Sequence, residues 1–269
     1  MAKIRWTPEA ETWLRETYEY IAQDKIKMKR AIIIGATSGI GKELAKVFLK
    51  NGYTVGLAGR RIHLLNDLDN DLDIDTSKHT FIRQIDLSLI NEAMDKLKEL
   101  IQEMKGVDIV VISSGVGFIN KELQWLKEKE TIDVNVTGFV GMATVAMQHF
   151  LQNGSGHLVG ISSIAAIRGD GDSPSYNASK AFISNYMEGL RKKISRFALP
   201  ITVTDIQPGF VDTEMAKGEG LFWVASPQKA AKQIYTVIEK KKKHAYITKR
   251  WRVIGWLMKI MPESIYNRI

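Results

Sequence analysis

From Arg30 onward, short apolar runs alternate with longer stretches of helical spacing. Residues 31–34 read as a buried strand, and residues 39–50 as a helix whose apolar stripe is Ile40, Leu44, Val47 and Phe48. The pattern then predicts strands at 53–58 and 80–84, helices at 64–72 and 89–104, and a strand rich in β-branched residues at 107–112. A long helical stretch at 127–151 precedes a strand at 157–161, a helix at 175–197 and a strand at 201–206. A helix at 227–242 and a short strand at 245–248 complete the series. Strands alternating with helices of this length imply an α/β fold, a doubly wound and mostly parallel sheet with helices on both faces. No internal repeat or long linker interrupts it, so residues 30–248 are expected to form one domain.

The two ends do not follow this alternation. Residues 1–29 form an N-terminal extension in which Pro8 to Ile26 can make an amphipathic helix. Trp13, Leu14, Thr17, Tyr20 and Ile21 recur at helical spacing there, and Thr7 and Pro8 suit its start. A helix docked on the surface or across an oligomer contact is one expectation for it, and an unstructured extension is the other. Met28, just before the regular pattern, can serve as an alternative start. Residues 249–269 form a basic and aromatic tail, with Trp251, Ile254, Trp256, Leu257, Ile260 and Met261 among Lys249, Arg250, Arg252 and Lys259. Three roles stay open for it: lying on an anionic membrane surface, closing over a site, or burying against another subunit.

Composition narrows the classes. In 269 residues the apolar fraction is 45%, enough for a large core, and 25% charged residues argue against a fibrous chain. The absence of cysteine excludes disulfides, thiolate chemistry and cysteine-ligated metals, and no metal site is expected. No signal peptide or spanning segment is read, so a cytoplasmic location is expected, with peripheral membrane contact through residues 249–269 as its variant. The formal charge of +8 fits nucleic acid, anionic lipid or a phosphorylated cofactor equally. Because the basic residues are scattered or terminal and no groove-reading helix stands out, nucleic acid is not expected as a partner.

The turn between the first strand and first long helix is Gly35-Ala36-Thr37-Ser38-Gly39-Ile40-Gly41. A phosphate-binding turn needs a tight bend, close backbone approach and helix N–H groups facing the anion. Gly35, Gly39 and Gly41 meet those needs, with Thr37 and Ser38 as hydroxyl donors. This predicts a Rossmann-type dinucleotide site. The second strand ends at Gly59-Arg60-Arg61, where an NAD-selective site often carries a carboxylate. Arg60 and Arg61 instead favour a 2′-phosphate, hence NADP(H). Asp86-Leu87-Ser88 and Ser113-Ser114-Gly115-Val116-Gly117 follow the third and fourth strands, at the carboxyl edge where ligands collect.

Tyr176 and Lys180 stand four apart and share a helix face. An ammonium near a phenol stabilises the phenolate and can also hold a ribose hydroxyl. Ser163, at the end of the preceding strand, can hold a substrate oxygen as charge develops. Asn135 lies inside a helical stretch that Asn does not favour, as if organising a kink and a proton-relaying water.

In this ordered combination the sequence resembles the classical short-chain dehydrogenase/reductase family from about Lys29 to Thr248. The resemblance implies that Gly35, Gly39 and Gly41 cradle a pyrophosphate, and that Asn135, Ser163, Tyr176 and Lys180 form a catalytic tetrad. Tyr176 would be the general acid in reduction, Ser163 would orient the carbonyl, Lys180 would lower the Tyr176 pKa and bind ribose, and Asn135 would hold a water. Pro208-Gly209-Phe210-Val211-Asp212-Thr213 resembles the segment beside nicotinamide, with Thr213 as carboxamide contact. The chain departs from the family at Ser113-Ser114-Gly115-Val116, where Asn-Asn-Ala-Gly is frequent, and at Gly35-Ala36-Thr37, where Thr-Gly is frequent before the variable pair. The function expected is NADPH-dependent hydride transfer to or from a carbonyl or secondary alcohol, by a homodimer or homotetramer. The rival is a non-enzymatic NADPH-binding sensor or scaffold. Met215, Leu221, Phe222 and Trp223, with Phe118 and Ile119, predict an apolar wall for the substrate, or simple packing on the neighbouring helix.

Overall fold

The computed structural model describes residues 7–13, 15, 29–72, 79–214 and 222–267. Its centre is a parallel sheet with seven strands among the described residues. These are β1 (Arg30–Ile34), β2 (Thr54–Gly59), β3 (Thr80–Gln84), β4 (Ile109–Ile112), β5 (Gly156–Ile161), β6 (Ile201–Pro208) and β7 (His244–Ile247). They lie in the order β3-β2-β1-β4-β5-β6-β7.

Period-two alternation divides the core in two. Ile32 and Ile34 of β1 face α3 (Ile90–Glu103), α5 (Phe139–Asn153) and α6 (Pro174–Ile194), meeting Leu97, Leu100, Phe139, Phe150 and Met187. Ala31 and Ile33 face the other way, toward α1 (Gly39–Lys50), α2 (Ile62–Asn70) and α7 (Pro227–Glu239), where Leu44, Phe48, Leu65 and Ile234 wait. Both sides of β1 and β4 are therefore apolar, which is why these two strands read as unbroken apolar runs. Strand order reverses between β1 and β4. Their carboxyl ends part there and leave the crevice in which ligands of open parallel sheets bind.

One expectation changes, and both ends gain detail. The long helix expected at 127–151 is two helices, α4 (Trp125–Ile132) and α5, joined by a π-helical turn at Asp133–Gly138 that holds Asn135. The tail is not loose. It forms α8 (Trp251–Ile260) and α9 (Glu263–Tyr266), and Trp251 is only 2% exposed. At the other end, residues 8–13 are helical behind Thr7, whose hydroxyl accepts the Ala10 amide at 3.3 Å. Trp13 is exposed, and the rest of the expected helix, with Leu14, Thr17, Tyr20 and Ile21, lies outside the described residues.

Candidate active site

The glycine loop is built on close approach. Gly35 adopts φ +96°, and its amide bonds the Ala58 carbonyl of β2 at 2.8 Å. A Cβ there would stand 2.6 Å from the Ser114 amide nitrogen, and one on Gly41 would stand 2.0 Å from the Gly35 carbonyl oxygen. A side chain at Gly35 would push the turn off the backbone of Ser113 and Ser114, and one at Gly41 would push α1 off the turn. Ser38 precedes α1 in an extended conformation without capping it, and the first turn holds no acidic residue. Thus nothing on the helix itself competes with an anion for those amides.

The two arginines part company. Arg61 reaches back over the loop, donating to Thr37 Oγ1 at 3.1 Å and Ser38 Oγ at 2.9 Å, and meets the Glu214 carboxylate at 3.5 Å. Arg60 is more exposed and lies 3.8 Å from Glu130. Asp86 Oδ1 accepts both the Ser88 amide (3.0 Å) and hydroxyl (2.7 Å), while Leu87 is buried against Gly138. On the opposite rim, Thr213 lays its methyl group against Gly39, so that a Cβ on Gly39 would meet it at 3.0 Å. Val211 forms an isolated parallel bridge with Ala225, and the Gly209 amide bonds the Ile247 carbonyl at 2.6 Å, fixing this segment to β7. Pro208, the last residue of β6, starts it.

On the chemical side, the four residues singled out by sequence come together. Tyr176 and Lys180 lie one turn apart on α6, with Lys180 Nζ 5.6 Å from the Tyr176 ring centre. The Ser163 hydroxyl faces the Tyr176 phenol closely enough to oppose the rise in its pKa. Ser163 Oγ also accepts the Ala165 amide at 3.1 Å, which caps the short 3-10 turn at Ile164–Ala166 and fixes the hydroxyl. Lys180 is buried and donates to the Ile161 carbonyl at 3.2 Å.

Asn135 accepts the Val116 amide at 2.8 Å and donates to the Val116 carbonyl at 2.8 Å, tying the β4 loop to the π-helical turn. It also donates to Ser179 Oγ at 3.0 Å. The extra residue of the π turn thus has a visible consequence: it delivers an amide side chain to a loop backbone that needs one. Gly115 lies beside both Asn135 and Lys180, with a Cβ there 3.2 Å from Asn135 Oδ1 and 3.3 Å from Lys180 Nζ.

Gly117, at the end of the same loop, lies where a Cβ would meet the Tyr176 ring at 2.8 Å. Sequence reasoning passed over the buried group around Asp205. Asp205 is wholly inaccessible in β6 and takes hydrogen bonds from Ser162, from Ser184 at 2.6 Å and from Gln207 at 3.3 Å. A carboxylate in the middle of a strand expected to be buried was the available signal.

Burial governs the electrostatics. It pulls the Lys180 ammonium down to about 8, with the charge of Asp205 opposing. It pushes the Tyr176 phenol above its ordinary value, with the Ser163 hydroxyl opposing. Loss of solvation is the largest influence on Tyr176 and outweighs the Ser163 hydroxyl beside it. A phenol held protonated is a donor, and a buried lysine titrating near 8 is a cation at neutral pH.

The family model of the short chain dehydrogenases matches residues 29–221. An uncharacterized oxidoreductase of Myxococcus xanthus is 33% identical over 193 residues, spanning 71% of this chain and 75% of that one. One from Mycobacterium tuberculosis is 28% identical over 254 residues, 90% of this chain and 98% of the other. Among solved structures, a short-chain dehydrogenase from Sphingobium yanoikuyae in complex with NADPH superposes with a TM-score of 0.74 at 21% identity, covering 88% of this chain and 98% of its own. Its likeness is one of fold. The match to the family model, over most of the chain and across the glycine loop and α6, is of another order: this chain belongs to the short-chain dehydrogenase family.

Proposed function

We propose that the chain is an NADPH-dependent reductase of ketones or aldehydes, with Tyr176 as general acid. The observation that carries this is the convergence of Tyr176, Ser163, Lys180 and Asn135 beside a glycine loop whose amides are open to an anion. When bound, NADPH supplies the hydride. Gly35, Thr37, Ser38, Gly39, Ile40 and Gly41 hold its pyrophosphate, and the dipole of α1 favours that charge. Arg61, already poised on the loop hydroxyls, takes the 2′-phosphate, and Arg60 adds charge at its edge. Asp86 and Leu87 border the adenine, Ser114 and Gly115 the adjoining ribose side, and Pro208, Gly209, Val211 and Thr213 the nicotinamide.

Ser163 holds the substrate oxygen, and Tyr176 gives it a proton as charge develops there. Lys180 stabilises the phenolate left behind and holds the ribose, while Asn135 keeps the loop at Val116 in place and a water beside Lys180 for proton return. A cofactor-sensing scaffold needs the loop but has no use for this second cluster. Half-buried Phe118 and exposed Ile119, Phe222 and Trp223 favour an apolar or partly aromatic substrate; Met215 and Leu221 lie outside the described residues. The test is a panel of carbonyl compounds with NADPH oxidation as the signal. Turnover of an apolar ketone or aldehyde, faster with NADPH than with NADH, is expected. Saturable NADPH binding without turnover of any compound would overturn the reductase and favour the scaffold.

Two associations accompany this reading. Exposed Trp125, Leu126 and Ile132 on α4 and Phe182 on α6 form an apolar surface suited to a second copy, which favours a homodimer or homotetramer. The tail suits an anionic membrane surface. No helix among the described residues is long and apolar enough to cross a membrane, but α8 exposes Val253, Trp256, Leu257 and Ile260 along one side. Between Lys240 and Pro262 the chain carries eight Lys and Arg residues and no Asp or Glu. A two-fold contact through this face would set like charge against like, whereas anionic lipid complements both the charge and the apolar stripe.

A further inference from the structure

Beneath the site lies a buried group that the proposed chemistry does not use. Asp205 stands on β6 opposite Gly160 of β5 and His244 of β7. It is inaccessible to solvent, and a buried carboxylate persists only if hydrogen bonds or charge repay its desolvation. Its partners come from both elements that carry the reactive side chains. Ser162, which bonds Oδ1, is the immediate neighbour of Ser163 at the end of β5. Ser184, which bonds Oδ2 at 2.6 Å, lies one helical turn beyond Lys180 on α6. Gln207 closes the ring, donating to Ser184 Oγ at 2.9 Å and to Asp205 Oδ2 at 3.3 Å.

We propose that Asp205 is a positioning residue for the reduction: its carboxylate, tied to Ser162 beside Ser163 and to Ser184 one turn beyond Lys180, braces α6 against the end of β5 and sets a fixed negative charge behind the Lys180 side chain. The inference rests on the reductase reading. Lys180 donates to the Ile161 carbonyl, whose neighbour Ser162 bonds the Asp205 carboxylate, so removing that charge would let the ammonium lose its proton more readily. The charged and titratable groups facing this pair are few. Tyr176 lies beside Lys180 on α6. From β7, His244 Nε2 stands 4.0 Å from Asp205 Oδ2, and Tyr246 feels the same carboxylate. Lys259 of α8 and Arg191 of α6 act on His244 from outside. Among the described residues, Asp205 is the carboxylate whose charge acts on Lys180.

The sign of the effect follows. Burial holds the Lys180 proton more loosely than water does, and Asp205 restores part of that hold. Removing the carboxylate moves the loss of the ammonium, and of whatever depends on it, to lower pH. The test is fluorescence titration of NADPH onto the whole chain between pH 6 and pH 10, with the parent, Asp205→Asn and Asp205→Ser side by side. Thermal unfolding of each confirms a folded sample, and Asp205→Ser keeps a hydroxyl in the network should the amide fail to fold. In the parent, affinity should weaken above pH about 8. In either folded variant the weakening should begin lower by about one unit, the scale of a single nearby charge. Ser184→Ala, which loosens the brace but keeps the charge, should leave that midpoint where it is in the parent. Parent and charge-free variant sharing one midpoint would overturn the role of Asp205 and leave the reductase standing. A parent that binds NADPH without turning over any carbonyl would instead remove the reductase reading itself.

Discussion

At the scale of single residues, the account depends on how burial divides protons between a phenol and an amine. Tyr176 is pushed toward its neutral form and Lys180 toward losing its charge, yet at neutral pH the first remains a donor and the second a cation. Arg61 has the other decisive position. Because its guanidinium already meets the hydroxyls of Thr37 and Ser38, a 2′-phosphate held nearby can trade those contacts for charge-assisted ones. Arg61→Ala should raise KM for NADPH on the order of tenfold or more, the worth of one such bond, while moving KM for NADH little. Equal rises for both cofactors, in steady-state kinetics on one substrate, would remove the assignment. The tetrad and the basic pair were legible as residue types at set spacings. That Arg60 would turn to Glu130 was not, because two adjacent arginines look alike until the strand end fixes their directions. Nor did any spacing rule lead from Asp205 to Ser162 and Ser184, since the three lie on different elements and meet only across the sheet.

At the scale of elements, the alternation of short apolar runs with helical spacing located every strand of the sheet, most plainly β1 and β4, which are buried on both faces. It could not reveal the π turn at Asp133–Gly138, which changes the helix by a single inserted residue while preserving the apolar stripe on either side. Nor could it tell which face of the tail is covered. Trp251 packs on Phe210 (5.2 Å between ring centres) and Phe222 (5.2 Å), and its ring sits where a Cβ on Gly209 would be. Gly255 lets α8 approach Tyr246 and Ile167, and Tyr266 of α9 donates to the Gly169 carbonyl at 2.6 Å. Anchored in this way, α8 presents its other side outward. Vesicles containing phosphatidylglycerol should therefore sediment the parent, and a Trp256→Ser/Ile260→Ser variant, altered only at exposed positions, should stay largely in the supernatant. Identical partitioning of the two, or equal binding to neutral vesicles, would contradict the membrane reading.

At the scale of the whole molecule, the parallel sheet explains why one edge holds everything. Strand order reverses between β1 and β4, so the glycine loop and the 113–117 loop flank one crevice, and the ends of β5 and β6 continue its rim. α6 runs beside that rim and brings Tyr176 and Lys180 to it, while the π turn brings Asn135 from the other direction. The architecture was readable in outline because strand and helix lengths dictate crossover connections. The central claim is that Tyr176 donates the proton while the cofactor sits in place independently of it. The most direct measurement is single-turnover NADPH oxidation by Tyr176→Phe against the parent on one accepted carbonyl substrate, with NADPH affinity measured on the same samples. The account predicts affinity within about threefold of the parent and a rate lower by roughly a hundredfold or more, the share of a general acid. Unchanged turnover in the folded variant would contradict it.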